Sequence, residues 1–112
     1  MSTLNTTIEL AYSKASNCTM PEAQRWLSLA MMAASRGGGE GIAIFLRCVL
    51  TLKLSEELAQ VRDTHVLWLI KRHGQHFIAA SLKVRKDLRP ALQKYIQKLQ
   101  EKVKKDSNEK RK

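Results

Sequence analysis

At 112 residues, with 44% apolar residues and two cysteines, the chain has room for one domain around one modest core, and its composition argues against a disulfide framework or a zinc site. The net charge of +10 is lopsided: residues 1–70 carry six Lys/Arg against six Asp/Glu, whereas residues 71–112 carry fourteen against four. Such an excess suits an acidic partner, either nucleic acid or an acidic protein segment, unless it only solvates a helix face.

In chain order, the first segment, residues 3–15, sets Leu4, Ile8 and Leu10 to Ala11 on one side and reads as a short helix or a loosely held arm. "SNCTMPE" (16–22) breaks it, and Pro21 with Glu22 opens a helix over about residues 21–35, since proline fits a first turn and glutamate favours the positive end of the dipole. Trp26, Leu27, Ala30, Met31 and Ala34 form its buried stripe. The glycines of "RGGGEG" (36–41) stop it. The next helix, about 40–52, carries Ile42, Phe45, Leu46, Val49 and Leu50, with Ile44 making it apolar nearly all round, so it is predicted to be the central one.

Ser55 is an N-cap candidate for a short helix over 56–62, with Glu56 and Glu57 in the first turn. "DTH" (63–65) is expected to cap another, with Val66, Leu67, Leu69 and Ile70 inward and Gly74 ending it in a left-handed conformation. From Gln75 a further helix turns Phe77, Ile78, Ala80, Leu82 and Val84 inward. The last is a long basic helix with Asp87 as cap, Pro90 in the first turn, and Leu88, Leu92, Tyr95, Leu99 and Val103 as its stripe. The expected fold is all-α: a bundle of about five short helices plus that long one. The predicted organisation is an arm or short helix over 1–20, the bundle over 21–105 and a frayed basic tail over 106–112.

The side chains that carry chemistry are sparse. With no signal-peptide pattern, Cys18 and Cys48 read as free thiols of an intracellular protein, Cys48 as a small core residue and Cys18 as an exposed loop residue. His73 and His76 are three apart with Gly74 between them and no carboxylate or cysteine at ligand spacing. The acidic residues form no pair suited to acid–base work, and "RGGGEG" lacks the preceding strand and the lysine-hydroxyl ending of a phosphate loop. The chain is therefore expected to be no enzyme, with no cofactor and no small-molecule substrate. No apolar run reaches the roughly 18 residues of a membrane span, and no membrane partner is expected. Nucleic acid is the competing partner, bound weakly and without sequence preference by Lys94, Lys98, Lys102, Lys104 and Lys105; with 5% aromatics there is no stacking platform for single strands.

From Glu22 onward the pattern resembles the TFIIS N-terminal domain superfamily of transcription factors, most nearly its integrase-binding variant in chromatin tethers of the LEDGF type. "AQRWLSLAMMAAS" (23–35) looks like the first long helix of that family and "RGGGEG" its first interhelical loop. "FLRCVLTLKLSEEL" (45–58) is similar to its leucine-rich helix and the step into the next, "RDTHVLWLIKRHG" (62–74) to the segment that follows, and "FIAASLKVRK" (77–86) to its closing helix. The chain departs from the family at "LKVRK", where the elongation factors end in tryptophan-lysine, and at His73 to Gln75, where the integrase-binding branch has apolar residues. The resemblance implies a nuclear scaffold whose interhelical loops grip short disordered motifs of transcription or chromatin proteins. It implies a docking rim of Arg36, Glu40, Lys71, Arg72, His73 and Gln75, with His73 facing solvent.

Overall fold

A computed structural model describes the backbone of residues 3–110 and the side chains of residues 5–103. The chain is an all-α bundle with no strand among the described residues: α1 (Thr3–Asn17), α2 (Glu22–Arg36), α3 (Gly38–Thr51), α4 (Glu56–Arg72), α5 (Gly74–Lys83), a 3-10 turn (Lys86–Leu88) and α6 (Arg89–Lys110). No helix is long and apolar enough to cross a membrane among the described residues.

α1 is a helix and belongs to the core. Ile8, Ala11, Tyr12 and Ala15 are buried, and the Tyr12 ring meets Phe45 of α3 edge-on at 5.5 Å. Leu10 is exposed instead of buried, because it lies about 200° round the helix from Ile8; the Leu4 side chain lies outside the described residues. α2 buries Ala23, Leu27, Ala30, Ala33 and Ala34, while Trp26 and Met31 are half-buried. Its small residues let α3 approach closely: a Cβ on Gly41 would meet the Ala34 carbonyl oxygen at 2.7 Å. The break between α2 and α3 is the single residue Gly37, and the adjoining Gly38 carries a positive φ of 61°. As expected, α3 runs through the centre with Ile42, Phe45, Leu46, Cys48 and Val49 buried.

Ser55 caps α4, accepting from Leu58 N–H at 3.3 Å. The two helices expected over 56–70 are one. Asp63 does not cap, because its carboxylate accepts from Arg62 at 3.0 and 3.1 Å and from the Tyr95 hydroxyl at 2.6 Å. Gly74 is not left-handed: it is the first residue of α5, and His73 makes the corner in a conformation neither helical nor extended (φ −128°, ψ 45°). α5 buries Phe77 and Ala80, with Val84 just beyond it also buried. Ile78 and Leu82 point outward, since they lie about 100° and 140° round the helix from Phe77.

α6 docks through Leu92 and Leu99, both buried, and through Tyr95, whose ring also lies under the Arg62 guanidinium at 5.2 Å. Asp87, expected to cap it, instead forks to Arg85 at 2.7 and 3.1 Å. Arg89 anchors the junction by donating to the carbonyls of Leu82 and Val84 at 2.6 and 3.0 Å. Val103 is 46% exposed, past the part of the helix that the bundle covers. α6 runs through Lys110, taking in residues 106–110 of the tail expected to fray; residues 111 and 112 lie outside the described residues.

Candidate functional site

The two corners of the bundle lie side by side. Ser35 Oγ, at the end of α2, shares a hydrogen bond of 2.7 Å with His73 Nε2, at the end of α4. Position 38 abuts the His76 ring: a Cβ there would lie 3.7 Å from His76 Nδ1. Arg36, Glu40, Lys71, Arg72 and Gln75 are all exposed around this junction, contributed by the last turn of α2, the first of α3, the last of α4 and the first of α5. His73 differs from expectation. It is half-buried, because its ring is drawn in by Ser35 and packs edge-on against Trp68 at 5.7 Å. The His73 and His76 rings stand 6.1 Å apart, and among the described residues no three of His, Cys, Asp and Glu gather where they could hold a metal.

A second bond ties α2 to α4: Ser28 Oγ and His65 Nε2 are 3.4 Å apart. The pairs 28 with 65 and 35 with 73 rise together, so the two helices run parallel. Burial pushes the His65 imidazole below its usual pKa. Between the two bonds the seam carries large apolar residues in solvent: Leu29 is 43% exposed, Met32 53% and Trp68 41%. Pro21, Gln24, Arg25, Ser28, Leu29 and Met32, at the start and along one side of α2, line a shallow groove of about 520 Å³ that Leu29 and Met32 share with the seam. These three apolar residues are absent from the expected docking rim. Their signal was in the sequence, since each falls off the stripe that its own helix buries.

On α6, Lys94, Lys98 and Lys102 are exposed and recur every four residues along one ribbon. The side chains of Lys104 and Lys105 lie outside the described residues. Of the two thiols, Cys48 is buried and pushed up to about 11 by that burial, and Cys18, expected in solvent, is half-buried against the core. No protein-family model, curated protein or solved structure matches the chain.

Proposed function

We propose that this chain is a non-enzymatic protein-interaction module that grips short disordered segments of partner proteins where its two corners meet. What supports this is one arrangement: the Ser35–His73 bond joins the α2–α3 and α4–α5 corners, so that Arg36, Glu40, Lys71, Arg72 and Gln75 surround a single half-buried imidazole. Charged flanks of this kind tune and steer the capture of an acidic segment, while apolar anchors supply affinity. The transcription and chromatin setting, and with it a nuclear location, rests on the resemblance of residues 22–86 to the TFIIS N-terminal domain superfamily.

A second role is favoured by the exposed ribbon of Lys94, Lys98 and Lys102: a small helical protein that holds phosphates along α6. Capture from nuclear extract separates the two. A docking role predicts that immobilised protein retains a partner after nuclease treatment and with Lys94, Lys98 and Lys102 all changed to Glu, and loses it when Arg36→Glu and Arg72→Glu are combined. Loss on nuclease treatment, with retention by the corner variant, would replace docking by nucleic-acid binding.

A further inference from the structure

We propose that the α2–α4 seam is a groove for one amphipathic helix of a partner protein, with acidic residues at the end that meets Arg36 and Arg72. This deepens the docking role and rests on it. Arg25, Leu29, Met32 and Arg36 recur at spacings of four, three and four, and so share one exposed ridge of α2. Trp68 and Arg72, four apart, form the matching ridge of α4. Because the helices are parallel and registered by Ser28–His65 and Ser35–His73, Met32 and Trp68 fall at the same level of the seam. The result is an apolar centre of Leu29, Met32 and Trp68 between cationic ends.

The groove is built before anything binds. Its two helices are tied at both ends of the apolar stretch, and Trp68 is braced edge-on by His73. Pre-ordering of this kind lowers the entropy lost on association, tryptophan is a frequent anchor in interfaces, and methionine adapts to the occupant. The distance from Arg25 to Arg36 is about 16 Å at 1.5 Å per residue, which matches about three turns of an incoming helix.

Charge selects the occupant. Arg25, Arg36 and Arg72 stand outside the ion pairs of the described residues, which are Glu9–Arg47, Arg62–Asp63 and Arg85–Asp87. Glu22 lies one turn before Arg25 and offsets that end, so the positive field is strongest at Arg36 and Arg72. A second copy of a chain with net charge +10, or its own basic C-terminal residues, would bring like charge to these arginines. Nucleic acid would satisfy the arginines but leave the apolar centre unmatched. An acidic amphipathic helix satisfies both.

The test uses the full chain carrying Trp26→Phe, so that Trp68 is the sole tryptophan. The probe is a synthetic peptide of about three to four helical turns, with leucines spaced four and three and glutamates elsewhere. One control replaces the glutamates by lysine and another the leucines by serine. The acidic amphipathic peptide is expected to shift Trp68 emission to shorter wavelength and to saturate. Both controls, and the Leu29→Ser and Met32→Ser variants of the protein, are expected to bind about tenfold more weakly or not at all. Both variants change exposed residues, and an unchanged helical circular dichroism spectrum verifies their fold. Binding that survives Met32→Ser but is lost in Lys71→Glu or Gln75→Ala would overturn the seam and leave the corner rim as the docking surface. No response to the acidic peptide, an equal response to the lysine peptide, a response to duplex DNA in its place, or self-association abolished by Met32→Ser would each overturn the proposed occupant. The corner rim stands or falls separately, on capture by a Lys71→Glu, Gln75→Ala variant, neither residue of which the seam uses.

Discussion

Ser35 and His73 join the ends of two parallel helices through a 2.7 Å hydrogen bond, although 38 residues separate them in sequence. A half-buried bond of this kind contributes about 1 kcal/mol. His73→Ala also removes the edge contact to Trp68 and is expected to destabilise by about 1–2 kcal/mol. Chemical denaturation of His73→Ala, Ser35→Ala and the double variant checks this. The double variant should lose less than the sum of the singles, and full additivity would mean that the pair does not interact.

Glycine at the first corner and at the second does different things. Gly41→Ala drives a methyl group against the Ala34 backbone and is expected to destabilise by about 1–3 kcal/mol, as overpacking does. At Gly74 a Cβ meets nothing within 4 Å and φ is not positive. Gly74→Ala should therefore be neutral or stabilising by up to about 1 kcal/mol. Thermal melts that rank the two variants in the opposite order would contradict the corner geometry.

Tyr12 is among the largest fully buried side chains, yet its hydroxyl has no hydrogen-bond partner, and burial drives its pKa far upward. Removing an orphaned buried hydroxyl is close to neutral or stabilising. Tyr12→Phe is expected to stay within about 0.5 kcal/mol of the parent or above it, whereas Phe45→Ala, at the other side of the ring contact, should lose about 3–5 kcal/mol. A large loss in Tyr12→Phe would show that the hydroxyl is bonded in solution.

His65 makes stability depend on pH. Its folded pKa is lowered by burial, so the unfolded chain binds the proton more readily. The contribution is therefore fully present above the unfolded value of about 6.5 and is lost as pH falls through the folded pKa. Melting temperature should fall between about pH 7 and pH 5, and the fall should be shallower in His65→Gln. Identical slopes in the two proteins would show that His65 is not desolvated.

Much of this fold is legible in the residues, and the failures have physical causes. Ser55 with Glu56 and Glu57 marks the start of α4 correctly, and the α3 face from Ile42 to Val49 is the core, because cap chemistry and helical periodicity are local. The break expected at "DTH" does not exist, because Asp63 is claimed by Tyr95, a residue 32 positions away that no local pattern reveals. Ile78 and Leu82 are apolar yet face outward, since an apolar residue carries no sign of its direction and the stripe set by Phe77, Ala80 and Val84 leaves them outside. Arg36, Glu40, Lys71, Arg72 and Gln75 are exposed, as charged and amide side chains ordinarily are. The groove beside them was missed because Leu29, Met32 and Trp68 become neighbours only through the α2–α4 register.

Docking at the joined corners is tested most directly by the amide NMR footprint of the isotope-labelled chain, titrated with the mapped segment of a partner captured from nuclear extract. Docking there predicts that the largest shifts fall at Arg36, Glu40, Lys71, Arg72, His73 and Gln75, with Lys94, Lys98 and Lys102 little moved. Shifts that instead follow Lys94, Lys98 and Lys102 along α6, leaving the corners unmoved, would contradict it.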